Sequence, residues 1–267
     1  MVDSRASLKR SLFREPVIDV LACLEHVVRV RSPWRALGPA ALAMLVTWFV
    51  YVPIHELLHV LGCVATGGEV TVLEIAPHYG AELLKRVFPF IQSGSDYAGR
   101  LSGFETHGSD LTYLATVFMP FVLSVLIGIP LVKLGAMRRR PVLFGVAIVV
   151  GLAPFYNVPG DYFEMGSILV TRALTIVSGG GQPPAFEGIR SDDIYLLLGT
   201  YLTKPADLGL AGVGQVLAGG GLILISFVVD VLLAFGTYAL GAAWARWLIR
   251  SRERSQVAQS GTPRGSA

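Results

Sequence analysis

Apolar residues run almost unbroken over four stretches of the chain, 37–65, 111–134, 142–177 and 221–248. Each is long enough to cross the hydrocarbon layer of a bilayer as a helix. The third is interrupted near 153–160, where Pro154, Pro159 and Gly160 cannot sustain a regular helix. Between 13 and 30, Val17, Val20, Leu21, Leu24, Val27 and Val28 recur at helical spacing with Arg14, Glu15, Asp19, Glu25 and Arg29 among them. That pattern predicts an amphipathic helix lying on a membrane surface or against the bundle, closed by a break at Ser32-Pro33. Residues 69–75 alternate instead, which predicts a strand ended by Pro77. Residues 81–110 read as a partly structured extramembrane loop that dips toward the interface near Val87–Ile91. Residues 178–220 read as a Gly/Pro-rich loop holding a short helix over 192–201. The fold class expected is an all-α, polytopic helix bundle of about four spans, with a small β-hairpin or strand element after the first.

Composition supports this division. Of the 267 residues 53% are hydrophobic and 15% charged, against about 25% charged in an ordinary soluble domain. Two cysteines, Cys23 and Cys63, offer neither a disulfide framework nor a four-cysteine metal site. A net charge of +3 without an aromatic-interleaved basic patch argues against nucleic acid as a partner. No cleavable leader is expected, because the first apolar run begins near residue 37 behind a charged segment. Lysine and arginine number 7 in residues 1–36, 4 in 133–140 and 5 in 246–267, but only 3 in 66–110 and 3 in 171–220. By the positive-inside rule both termini are then cytoplasmic, in a bacterial inner membrane. Three regions result: a cytoplasmic amphipathic segment, 1–36; an intramembrane domain, 37–248; and a basic, disordered tail, 249–267.

The chemistry begins at His55-Glu56-Leu57-Leu58-His59, where Glu56 is the one charged residue between Pro39 and Ala65. On a helix the two histidines point from one face and can grip one metal ion, with Glu56 placed to take a proton from water. Ionisable groups are costly inside a membrane, and a bound metal accounts for three of them within one and a half turns. A catalytic zinc ion has three protein ligands, so a third must come from elsewhere. His78 and His107 read as ordinary loop histidines. The better source is Asn157-Val-Pro159-Gly-Asp161-Tyr-Phe-Glu164-Met-Gly166, where Asp161 and Glu164 compete. Those two acids also have the D-x-x-E spacing of a helix cap, which is the alternative reading. Asp230 stands alone in the last apolar run and reads equally as a hydrogen-bonding partner for a neighbouring helix or as a functional acid. Cys63 reads as a small apolar filler.

The motif His55-Glu56-x-x-His59 in an apolar helix, with Asn157 and Pro159 ahead of an acid, resembles the site-2 protease family of intramembrane zinc metallopeptidases. The resemblance covers about a third of the chain. It implies one Zn2+ per chain, held by His55, His59 and an aspartate that the family places in an Asp-Gly pair at a helix start. No Asp-Gly pair follows here, and the asparagine and proline stand closer together. Asp161 is preferred over Glu164 as third ligand, with the other holding a histidine or water. The family also implies that Asn157 positions substrate or water and that a strand near the active helix engages extended substrate. The expected function is hydrolysis of peptide bonds in membrane-associated protein substrates, with Glu56 as general base. The alternative is a zinc-binding regulator or transporter component without hydrolysis.

Overall fold

A computed structural model describes residues 12–29, 33–95, 97–138, 140–180 and 184–260. The outer parts of the two terminal segments, 1–11 and 261–267, and the Ser32 side of the expected break lie outside the described residues. In chain order the elements are α1 (Glu15–Arg29), α2 (Pro33–Ala65), β1 (Glu69–Ile75), α3 (Ala81–Leu84), β2 (Ile91–Ser93) and β3 (Gly99–Glu105). They are followed by α4 (Asp110–Leu123), α5 (Ile129–Arg138), α6 (Pro141–Gly151), α7 (Ala153–Tyr156), α8 (Phe163–Val177), α9 (Ile194–Thr203) and α10 (Val213–Ser260). Among the described residues three helical runs are long and apolar enough to cross a membrane: Trp34–Ala65, Asp110–Leu134 and Val213–Arg254. The second joins α4 to α5 through one wide turn at Ser124–Gly128.

The fourth expected crossing is not one helix. Pro154 and Pro159 lack the amide hydrogens a helix needs, and Gly160 adopts φ −118°, ψ −112°, so 141–177 is built from α6, α7 and α8 with an irregular turn between. Small residues let the helices cross closely. A Cβ at Gly62 would lie 2.5 Å from the Ala115 carbonyl oxygen, and one at Gly128 would lie 2.5 Å from the Gly151 nitrogen. Either would force α2 off α4, or the Ser124–Gly128 turn off α6.

The strand expected at 69–75 is β1, with those bounds. A simple hairpin is not what it forms. The chain returns through α3 to lay β2 parallel to β1, with Leu73 opposite Ile91, and then β3 antiparallel, with Glu69 opposite Glu105. The sheet order is β2-β1-β3, which leaves β3 at an edge. Leu73, Ile75, Ala81 and Ile91 form its core and pack on Leu57 and Val60 of α2. The sheet therefore sits against the helix turn that carries the histidines.

One expectation at the C-terminal end of the chain needs correction. The last helix starts at Val213, inside the expected loop, and continues to Ser260, through most of the expected disordered tail. The arginines and glutamines after 248, with Glu253 and Ala258, are strong helix formers and extend a helix already nucleated. At the other end α1 packs against the bundle, one of the two placements expected of it, and turns two of its acids inward while Arg14, Glu25 and Arg29 stay exposed. Glu15, Asp19, Cys23 and Val27 are buried, whereas Val17 and Leu21 are exposed by 59% and 57%. Lys133 of α5 reaches both Glu15 and Asp19 at 2.5 Å, Arg246 of α10 donates to Glu15, and the Tyr238 hydroxyl donates to Asp19. Burial alone would raise the Glu15 carboxyl, but Lys133 and Arg246 outweigh it and hold the group below its ordinary value.

Candidate metal centre

Helix α2 places His55 and His59 one turn apart on the face turned toward α4 and the 157–164 turn. Their Nε2 atoms are 3.2 Å apart. The Asp161 carboxylate enters from the irregular turn before α8, with Oδ2 3.0 Å from His55 Nε2 and Oδ1 3.7 Å from His59 Nε2. Ligand atoms of these three residues all lie within 4.8 Å of one another, and both histidines are buried.

The outer ring nitrogens decide what this cluster can do. His59 Nδ1 lies 2.9 Å from the Thr116 carbonyl oxygen, which can only accept, so Nδ1 is the donor. In the neutral ring Nε2 then carries a lone pair. His55 Nδ1 lies 3.1 Å from the Tyr51 hydroxyl, one turn back on α2, and the same tautomer leaves its Nε2 a lone pair too. Two nitrogen lone pairs and a carboxylate aimed at one buried point are a donor set that fits a divalent cation. Imidazole nitrogens held from behind by an oxygen are the usual support of such a site.

Glu56 lies beside the first histidine, buried, and among the described residues it forms no hydrogen bond. The start of β3 packs directly on it. A Cβ added at Gly99 would fall 2.7 Å from Glu56 Cδ and nearer still to Cγ. The three donors, Glu56, Asn157 and Glu164 all line one cavity of about 740 Å³. Its walls are α2, β3, α4, the 157–164 turn and the 190–192 loop.

The structure separates the two competing acids. Asp161 meets the histidines; Glu164, one turn along, accepts a hydrogen bond from the Tyr113 hydroxyl at 2.5 Å. Glu164 therefore holds neither a histidine nor the shared point. The capping alternative fails for both, since the start of α8 has no side-chain cap. Asn157 donates its amide to the Ala153 carbonyl, and its own carbonyl accepts from Gly160 and Tyr162, which shapes the turn that presents Asp161. Asp230 takes no part. It is fully buried where α10 meets Gly166 of α8, and among the described residues neither carboxylate oxygen has a hydrogen-bond partner. Of the two readings left open for it, the neighbouring-helix bond is not formed among the described residues, where the facing position is Gly166. His78 rests against Phe49 and Tyr79, and His107 is exposed, 3.8 Å from Glu69. Cys63 is a buried thiol, as a filler would be.

Sequence reasoning missed several residues. Tyr51 had a signal, four positions before His55 on the same face. Thr116, Tyr113 and Gly99 had none, since they reach the site by tertiary packing. Nor was the rim visible: Tyr97 donates to Asp193 at 3.1 Å and Arg100 pairs with Asp192 at 3.0 Å, joining the two sides of the cavity mouth. The Asp193 carboxylate beside it raises the Tyr97 hydroxyl above its ordinary pKa. In comparisons with known proteins, no family model, curated protein or solved structure matches this chain.

Proposed function

We propose that the chain is an intramembrane zinc metallopeptidase of the site-2 protease kind, acting on peptide bonds of membrane-associated protein substrates. One observation carries the reading. Segments 106 residues apart turn two imidazole nitrogens and a carboxylate to a single buried point, with Glu56 beside them in the same cavity. His55, His59 and Asp161 would hold one zinc ion. Bound there, zinc would supply Lewis acidity, polarising a carbonyl and bringing the pKa of water to about 7.

The chain's own residues do the rest. Glu56 takes the proton of the attacking water and returns it to the leaving amine. Tyr51 and the Thr116 carbonyl fix the two imidazole rings, so little reorganisation is left for the reaction. The edge strand β3, which lines the cavity from Gly99 to Ser102, takes an extended peptide as an added strand. Asn157, on the opposite wall, positions the substrate backbone or water. Polar groups at the rim, among them Arg100, Arg190 and Asp192, keep the cavity wet at a depth where lipid would exclude water.

The alternative, a zinc-binding regulator or transporter component, requires no carboxylate at position 56. Glu56 lines the cavity and has no hydrogen-bond partner among the described residues, which favours hydrolysis. In the same reading the chain crosses a bacterial inner membrane four times, with α6 to α8 as a broken crossing and both termini cytoplasmic. Purified protein should contain about one zinc per chain, lost in His55→Ala and in His59→Ala. Glu56→Gln should keep the zinc and lose peptide cleavage. Unchanged metal content in both histidine variants, or full cleavage by Glu56→Gln, would sink the proposal.

A further inference from the structure

The C-terminal part of α10 leaves the bundle as continuous helix, and that continuity puts its basic residues in register. Arg246, Arg250 and Arg254 follow at intervals of four, so they stack along one face. Together with Ala243, Trp247 and Ser251 they line a cleft of about 280 Å³. Trp247 is 56% exposed and stacks on Trp244, with ring centroids 4.9 Å apart. Like charges one turn apart repel. Arg246 is relieved by Glu15 at 2.6 Å. Arg250 and Arg254 are exposed and form no ion pair among the described residues.

The cleft straddles the point where the apolar part of α10 gives way to charge, around Trp247-Leu248-Ile249. Indole rings settle at the headgroup level of a bilayer, and basic residues at that level meet lipid phosphates. It is also remote from the metal centre. Arg246 shares Glu15 with Lys133, which lies about 25 Å along its helix from Thr116 at 1.5 Å per residue.

We propose that Arg246, Arg250 and Arg254, with Trp247, form a binding site for the phosphate of an anionic phospholipid. Guanidinium groups engage phosphate oxygens through paired N–H donors, which a lysine cannot reproduce. The exposed indole face covers the glycerol and the first methylenes of the acyl chain. The site needs no metal and no hydrolysis, so it stands or falls apart from the proposed function.

The full chain in neutral detergent is titrated with short-chain phosphatidylglycerol, with short-chain phosphatidylcholine and with inorganic phosphate, read by intrinsic tryptophan fluorescence. The expected result is saturable binding of phosphatidylglycerol at least about tenfold tighter than of phosphatidylcholine. The double variant R250Q/R254Q should weaken it roughly 30-fold, about fivefold per arginine. R250K/R254K, which keeps charge and loses the fork, should fall between the two, with helix content by circular dichroism unchanged in all three. Equal phosphatidylglycerol affinity in the parent and R250Q/R254Q overturns the proposal. So does equal affinity for the two lipids, and inorganic phosphate binding as tightly as phosphatidylglycerol overturns the lipid as the source.

Discussion

Asp161 and Glu164 are three positions apart, yet they live in different electrostatic company. One turns its carboxylate to two imidazoles and the other to a phenol. Metal affinity should therefore rank their substitutions. Asp161→Asn should release zinc, Tyr51→Phe should weaken it about 10- to 100-fold by loosening His55, and Glu164→Gln should retain it. Competition with a chromogenic chelator measures all three, and zinc loss in Glu164→Gln with retention in Asp161→Asn would reverse the assignment. The sequence favoured Asp161 without fixing the choice, because Gly160 breaks the helix between the asparagine and the acids and erases the register that would say which one points inward. The histidine pair was legible for the opposite reason. Its geometry depends on one uninterrupted helix, and local periodicity sufficed.

At the scale of elements, the contact that matters most is between β3 and α2. Gly99 leaves room for the Glu56 side chain, and any added carbon there must push it. Gly99→Ala should keep zinc at one per chain while lowering kcat about 100-fold, the cost of displacing a reacting group by about an ångström. Single-turnover cleavage alongside metal analysis checks this; a fully active Gly99→Ala would mean that Glu56 has slack. The strand β1 was readable from its alternation, but β2 and β3 were not. Gly94, Gly99 and Gly103 interrupt the apolar pattern there, and the bulges between Val70 and Glu74 shift the pairing. Helix α1 was recognised as amphipathic without its inward side being evident. An acidic stripe normally faces water, and Lys133, Arg246 and Tyr238, from distant helices, help make it the buried one.

For the whole molecule, the distribution of lysine and arginine and the placement of the cavity make one statement about sidedness. The donor cluster lies toward the end of α2 nearest the sheet, and the basic ends of α5 and α10 gather around α1 at the other end. A cysteine placed at Ser95 should react with an impermeant thiol reagent added outside intact cells, and one placed at Ser260 should react only after lysis. Labelling of the Ser260 variant alone would invert the orientation. α10 gives this arrangement a mechanical side. At about 1.5 Å per residue its 48 residues make a rod of about 70 Å, more than twice the thickness of a hydrocarbon layer of about 30 Å. Part-way along it, Thr237 accepts a hydrogen bond from the Tyr162 hydroxyl at 2.8 Å, and Tyr162 is the residue next to Asp161. That one bond ties the turn that aims the Asp161 carboxylate to the middle of a helix that reaches from the loop before it to the basic end of the chain.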